Sequence, residues 1–176
     1  MNSLISARLK SVLTLATLAV LLLLGVSWGW SAVTEPFPQG EEVATCSPTE
    51  VAKGDKVYPD QVTVSVLNAG GREGLAGRTL DELVRTGFGK GDLDNAPLDA
   101  GVDLVEIWTD APRSPAVQLV ASHLGKDVRV LRRDSGAPGV NIVVGDEFSG
   151  VIKGRRMRVA GQDTTICSPP PPPPAG

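Results

Sequence analysis

Residues 62–86, VTVSVLNAGGREGLAGRTLDELVRT, contain the transition that decides the fold of this chain. The β-branched start, residues 62–67, predicts a strand. The next four residues, 68–71, predict a tight turn because they combine asparagine with two glycines. Apolar residues then recur at helical spacing over about 73–86, and Gly87 follows as a helix C-cap. The stretch therefore predicts a strand-turn-helix unit.

A second unit of the same kind follows farther along the chain. Residues 104–109 (LVEIWT) predict a strand, and Ser114 and Pro115 begin a helix whose apolar stripe ends at Gly125. Shorter strands are predicted at 88–93, 128–131, 140–144 and 156–159. The order β-α-β-β-α-β, with one further strand, predicts an α/β (α+β) domain: a mixed sheet with two helices on one face, of ferredoxin-like type.

An uncharged apolar segment occupies residues 11–30. At about 1.5 Å per helical residue it is long enough to cross the roughly 30 Å hydrocarbon core of a bilayer. Arg8 and Lys10 precede it and the first charges after it are acidic, which predicts a single-pass plasma-membrane protein with residues 1–10 in the cytoplasm. A cleaved signal peptide is the alternative, but the bulky Trp30 fits poorly at the −3 position of a cleavage site.

The remainder of the chain is predicted to be extracytoplasmic and to have three parts. Residues 31–60, rich in Glu, Pro and Gly, are expected to form a stalk, residues 61–167 the domain, and residues 168–176 a proline-rich tail. Only 4% of residues are aromatic, so the core is expected to consist of Val, Leu, Ile and Ala. The net charge of −3 becomes more negative beyond the apolar segment, which argues against nucleic acid as a partner.

The two cysteines, Cys46 and Cys167, lie on either side of the predicted domain. An even number of cysteines in an oxidising compartment predicts one disulfide between them. The alternative is a redox-active pair, which lacks the usual C-x-x-C spacing.

The glycine-rich turn is one candidate binding site, formed by Asn68, Gly70, Gly71, Arg72 and Gly74. A glycine turn between a strand and a helix can present backbone N–H groups to an anion. However, the glycine spacing matches neither the dinucleotide-binding motif nor the P-loop. The alternatives are therefore a small anionic or glycan ligand, or a turn whose glycines serve only close packing.

A basic patch is the second candidate site, formed by Lys153, Arg155, Arg156 and Arg158. These cations are suited to phosphate groups of lipids or wall polymers. The alternative is a solvated strand face balanced by Asp146 and Glu147.

Catalytic residues are not predicted. The chain has one histidine, His123, which is expected to have a solvated or capping role. Aspartates at positions 92, 94, 99 and 103 do not have the spacing of an EF-hand and are expected to form a solvated loop. No metal site and no cofactor are predicted.

Four short motifs together resemble the C-terminal domain of LytR-type envelope proteins. They are Val66-Leu67-Asn68, Gly74-Leu75-Ala76, Gly87-Phe88 and Gly145-Asp146, within about residues 60–148. With its apolar N-terminal segment, flanking cysteines and Cys-Ser-Pro tail, the whole chain is similar to stand-alone envelope-integrity proteins of actinobacteria. The resemblance implies a membrane-anchored accessory protein, without the phosphotransferase domain of full-length LytR proteins.

These features predict a non-enzymatic, single-pass membrane protein that supports cell-envelope integrity. Its exterior domain is expected to contact cell-wall polymer or envelope-assembly proteins. The alternative is a glycan-binding, anion-binding or hydrolytic domain that uses residues 68–77. A structural stalk that carries the proline tail to a partner is a third possibility.

Overall fold

The computed structural model describes residues 13–26 and 46–170. The chain divides into two compact units, Met1–Glu42 and Val43–Gly176. In the first unit, residues 13–26 are helical. Within the described ranges, no helix has the length and apolar character needed to cross a membrane. The ends of the predicted span, residues 11–12 and 27–30, lie outside the described residues.

The second unit is an α/β domain with nine strands and two α-helices in its described part. The strands are β1 (Ser47–Val51), β2 (Lys56–Val57), β3 (Thr63–Asn68), β4 (Gly89–Asn95), β5 (Val105–Trp108), β6 (Arg129–Leu131), β7 (Val140–Val144), β8 (Arg158–Val159) and β9 (Thr164–Ser168). The helices are α1 (Leu75–Arg85) and α2 (Pro115–Leu124), and a 3₁₀ turn covers Pro59–Gln61.

Local signals at the helix ends are confirmed. Ser114 is the N-cap of α2 and Pro115 is its first residue. Gly87 follows α1 with a φ of 107°, which a residue with a side chain rarely adopts, and its N–H bonds to the Val84 carbonyl. These positions were predictable because each depends on neighbours within one helical turn.

The central sheet is mixed and has the order β4-β3-β7-β5-β6. Strands β3 and β4 are parallel neighbours joined by α1, and β5 and β6 are parallel neighbours joined by α2. Strand β7 lies between these two strand pairs, parallel to β3 and antiparallel to β5.

The mixed sheet with helices is confirmed, but the ferredoxin-like arrangement is wrong. In that arrangement another strand separates the two parallel strands of each unit, whereas here they are adjacent. The physical reason lies in the strand sequences. Strand β7 (VNIVV) is buried throughout and takes the central position, whereas β4 (GKGDLDN) keeps its charged side chains in water at the sheet edge.

The core lies between the two helices and one face of this sheet. Its members alternate along the strands and recur along one face of each helix, and include Val64, Val66, Ile107, Ile142, Leu80, Leu83, Leu119 and Val120. A smaller cluster covers the opposite face and includes Leu67, Trp108 and Val143. Because both faces are covered, nearly every side chain of β3, β5 and β7 is buried.

The chain segments before and after the sheet are paired with each other. Strand β1 pairs antiparallel with β9, and β2 pairs antiparallel with β8. Cys46 and Cys167 form the predicted disulfide, with 5.4 Å between their Cα atoms. The predicted stalk is therefore wrong for residues 46–60, which belong to the folded domain, and Ser168 belongs to β9. Residues 31–45 of the predicted stalk and 171–176 of the predicted tail lie outside the described residues.

Candidate functional site

The glycine-rich turn between β3 and α1 is closed by the carboxylate of Asp146, which lies two residues after the end of β7. Asp146 accepts hydrogen bonds from the N–H of Gly71 at 3.0 Å and from the N–H of Arg72 at 2.9 Å. The Arg72 guanidinium donates in return to the carbonyls of Asp146 at 2.9 Å and Phe148 at 3.2 Å. The turn and the chain after β7 are thus held together by four hydrogen bonds.

The electrostatics of Asp146 follow from these contacts. Hydrogen bonds from the Gly71 amide and then the Arg72 amide lower the pKa of the Asp146 carboxyl below its ordinary value. Partial desolvation opposes this shift, and the Arg72 charge adds to it. The backbone N–H groups that were predicted to bind an external anion therefore already bind the carboxylate of Asp146.

The remaining predicted loop residues also have structural roles. The Asn68 side-chain amide donates to the Gly70 carbonyl at 3.0 Å, and Gly74 starts α1 with a φ of 70°. A Cβ on Gly70 would overlap the Asp146 carboxylate. A cavity of about 260 Å³ adjoins the turn, and its lining includes the Asp94 carboxylate, which is unfavourable to an anion. The five predicted residues are thus brought together, but in a packed turn.

The basic patch lies elsewhere, beyond the C-terminal ends of the two helices. Lys153, Arg155 and Arg156 line a cleft of about 600 Å³. Pro59, Arg85, Thr86 and His123 are also among the residues that line the cleft. Arg158, the fourth predicted residue, does not line it and lies in β8.

His123 lies beside this cleft and is buried, so its predicted solvated role is wrong. The ring is 5% exposed and packs edge-on against Phe88, with 5.1 Å between ring centroids. Nδ1 accepts the Gly154 N–H at 3.3 Å, so the ring proton of the neutral form lies on Nε2, 3.1 Å from the Arg155 carbonyl. The burial of His123 was predictable from its position in the helix, because it lies three residues after the buried Val120 and four residues after the buried Leu119.

Residues 150–156 form a segment, here called the basic strap, that His123 and its neighbours hold against the domain. The Ile152 N–H donates to the His123 carbonyl at 2.8 Å, and the Arg155 N–H donates to Ser122 Oγ at 2.9 Å. At the start of the strap, the Val151 N–H donates to Glu82 Oε2 at 3.2 Å. The strap's cations are therefore carried on an ordered backbone.

A buried carboxylate in β5 was not identified from the sequence. Glu106 is 3% exposed, and its Oε2 accepts the Trp108 indole N–H at 2.9 Å. Its Oε1 accepts from Arg129, including Nε at 3.0 Å. Both oxygens are occupied, so Glu106 is a paired structural carboxylate. The sequence did not indicate this role, because an acidic residue in an apolar strand does not reveal which side chains it pairs with.

In the part of the chain that the structure describes, no group of three or more His, Cys, Asp or Glu side chains has an arrangement that could hold a metal ion. Asp92 and Asp94 lie in the exposed edge strand β4, and Asp99 and Asp103 lie in the loop that follows.

Comparison with known protein families identifies the helix-and-sheet unit. The family model described as LytR cell envelope-related transcriptional attenuator matches residues 61–148, which is half of the chain. The chain belongs to this family. The matched region begins two residues before β3 and ends four residues after β7, so it contains the whole five-stranded sheet and both helices.

The chain is similar to the soluble domain of a conserved hypothetical secreted protein (Rv2700 ortholog) from Mycobacterium marinum, with 25% identity and a TM-score of 0.38. The match covers 57% of this chain and 77% of that one. No curated protein matches the chain significantly.

The family match separates the two candidate sites. The glycine-rich turn and Asp146, which holds it, both lie inside the matched region. The basic strap begins after the last matched residue, Phe148. The LytR family region therefore supplies the packed turn, whereas three cations of the cleft, Lys153, Arg155 and Arg156, come from sequence beyond it.

Proposed function

We propose that this protein is a non-enzymatic component of the cell envelope whose folded domain contacts cell-wall polymer or envelope-assembly proteins. The observation that carries the proposal is that a cell envelope-related family region contains the complete helix-and-sheet unit. In this proposal the apolar segment at 11–30 anchors the chain in the plasma membrane. Residues 1–10 then face the cytoplasm and the domain lies outside the membrane.

The disulfide supports the extracytoplasmic location of the domain. Disulfides persist in oxidising compartments and are rare where thiols are kept reduced. Cys46 and Cys167 join segments that pair along β1 and β9, so the bond belongs to the folded domain. A structural disulfide at this position is consistent with a domain on the outer side of the membrane.

The hydrogen bonds that the polar side chains already make within the protein support a non-enzymatic role. His123 uses both ring nitrogens on backbone groups of the basic strap, which leaves no nitrogen to activate a nucleophile. Asp146 is held by two amides, and Glu106 is paired with Trp108 and Arg129. The hydrolytic alternative at residues 68–77 loses support because the amides of its turn already bind Asp146.

A cross-linking experiment in intact cells tests this proposal. The affinity-tagged full chain is cross-linked, purified and analysed for covalently attached glycan and protein. Wall polymer or envelope-assembly proteins are expected with the full chain and not with a control chain that ends at residue 45, which retains the apolar segment without the domain. Recovery of the same material with both chains, or of none with either, would contradict the proposal.

A further inference from the structure

The cleft beside the basic strap collects positive charge in a chain whose net charge is −3. Four cations line it: Arg85 from α1 and Lys153, Arg155 and Arg156 from the strap. Within residues 13–26 and 46–170, the one salt bridge joins Arg129 to Glu106. None of the four cleft cations therefore has a carboxylate partner in that part of the chain.

The acidic side chain at the cleft does not neutralise these cations directly. Glu82 is the carboxylate among the described lining residues, and its Oε2 accepts the Val151 N–H. This contact fixes the first part of the basic strap and places the carboxylate beside the backbone. The strap is then anchored again by Ser122 and His123, so the cations surround a cleft of defined shape.

Part of the cleft wall is apolar. Pro59, Val151 and Ile152 line it, and Ile152 is 51% exposed although it is a large aliphatic residue. Covering such a surface removes apolar area from water, which favours a ligand with a hydrocarbon part. The cations at the same cleft favour a negatively charged group on the same ligand.

The orientation of the helices determines which groups can bind this charge. Arg85 and Thr86 lie at the C-terminal end of α1, and His123 lies in the last turn of α2. Helix C-termini present carbonyl oxygens, which repel anions. An anion in the cleft must therefore be held by the lysine and arginine side chains, unlike an anion at a phosphate-binding loop.

We propose that the cleft binds an amphiphilic phosphate, that is, a phosphate group carried on an apolar chain. Arginine forks and a lysine ammonium bind phosphate oxygens through charge-assisted hydrogen bonds, while Ile152 and its neighbours cover the apolar chain. The inference rests on the proposed function only for the source of the ligand in the envelope. The ligand class itself follows from the cleft.

Direct binding to the full chain tests this site. The chain is placed in nanodiscs of zwitterionic phosphatidylcholine, and binding of hexyl phosphate, inorganic phosphate and hexanol is measured. Hexyl phosphate is expected to bind more tightly than either other compound. Equal affinity for inorganic phosphate would show that the apolar wall is not used, and equal affinity for hexanol would show that the cations are not used. Either result would overturn the proposal.

Matched double variants locate the site. Lys153→Gln with Arg155→Gln removes one lysine and one arginine charge from the cleft. Lys126→Gln with Arg158→Gln also removes one lysine and one arginine charge, but from residues that do not line the cleft. The first pair is expected to weaken hexyl phosphate binding by about 10- to 100-fold, because each of the two lost charge-assisted hydrogen bonds contributes up to about 10-fold. The second pair is expected to change it little. Equal losses in both would contradict a site in the cleft.

The source of the phosphate is distinguished by the nanodisc lipid. If the ligand is a lipid of the same membrane, nanodiscs that contain phosphatidic acid should weaken hexyl phosphate binding by competition. If the ligand comes from outside the membrane, the affinity should stay unchanged, and the amphiphilic phosphate is then a soluble or wall-linked one. Both results keep the proposed chemistry, and neither depends on the cross-linked material that tests the proposed function.

Discussion

Asp146 gives a physical reason for two motifs that lie far apart in the sequence. The strand end with its glycine turn and the late Gly145-Asp146 pair are separated by about 75 residues, yet Asp146 binds the amides of Gly71 and Arg72. Gly70 lies so close to this carboxylate that a side chain would overlap it. The motifs thus serve one contact, which joins β3 and α1 to the end of β7.

Gly70 and Gly71 provide a matched test of this packing. Gly70→Ala is expected to lower the free energy of unfolding by about 1–3 kcal/mol, because the new Cβ has no space beside Asp146. Gly71→Ala should change it by about 0.5 kcal/mol or less, since its Cβ would meet Asp146 only at 3.9 Å. Urea unfolding of both variants measures the difference, and equal destabilisation would contradict the packing role of Gly70.

Asp146 should also contribute a pH-dependent part of the stability. Its pKa is lowered in the folded protein by the two amides, so its contribution is fully present above the ordinary aspartate pKa of about 3.9. The contribution is lost as the pH falls through the lowered folded-state pKa. Asp146→Asn should therefore be less stable than the wild type at pH 7, and the two should converge in acid.

Unfolding in urea across the pH range measures this convergence. Glu147→Gln is the matched control, because it removes an adjacent exposed carboxylate for which the structure shows no hydrogen bond to the turn. A stability difference between Asp146→Asn and the wild type that stayed constant in acid would show that the charge of Asp146 does not stabilise the turn.

At the level of elements, the basic strap is held by backbone contacts with the end of α2. Gly154 is central because it lies against the His123 ring and Ser122 Oγ, with no room for a Cβ. The strap contains only exposed cations, small residues and two aliphatic residues, so regular secondary structure does not explain its order. Its position depends instead on the last turn of α2.

Amide hydrogen exchange tests this dependence. Gly154→Ala should speed the exchange of the Ile152 and Arg155 amides, because the added Cβ displaces the strap from His123 and Ser122. Gly161→Ala is the control, since no atom lies within 4 Å of its Cβ position. Unchanged exchange at Ile152 and Arg155 in Gly154→Ala would contradict the anchoring by α2.

Sequence patterns predicted the elements better than their arrangement. The helices and most sheet strands were predictable because helix spacing, caps such as Ser114 and glycine ends such as Gly87 act over a few residues. The strand order was not, because adjacent placement of β3 and β4 depends on which strands are most deeply buried. Strands β1 and β9 were missed because β1 (SPTEV) is mostly exposed and lacks an apolar pattern, and because the two strands pair across more than 100 residues.

The candidate sites, like the fold, were predictable only in part from the sequence. The five residues of the glycine turn lie together, but their partner, Asp146, was noted only as part of a family motif and as a counter-charge to the basic patch. Three of the four patch residues share one cleft, and Arg85 and His123 join them only through the tertiary fold. Neither residue has a sequence neighbour that reveals this contact.

At the scale of the whole molecule, the disulfide and the β1–β9 pairing close the domain. Cys46 and Cys167 are separated by 121 residues, so the bond restricts a long loop in the unfolded chain. The paired strands continue this connection through five residue pairs, from Ser47–Ser168 to Val51–Thr164. The segments before and after the LytR family region therefore act as one structural element.

Removal of the disulfide should lower the stability without removing the sheet. Cys46→Ser with Cys167→Ser is expected to decrease the free energy of unfolding by about 2–5 kcal/mol, chiefly because the unfolded chain gains freedom. Chemical unfolding under non-reducing conditions measures the change, with the wild type in reductant as the matched comparison. An unchanged midpoint in both cases would contradict a stabilising role for the bond.

The proposed envelope role is tested most directly by dye uptake through the envelope of living cells. A strain that lacks the protein is compared with the same strain carrying the full chain or the control chain that ends at residue 45. Loss of the protein is expected to increase dye uptake, and only the full chain should restore the barrier. Normal uptake in the deletion strain, or equal restoration by the control chain, would contradict a role for the folded domain in envelope integrity.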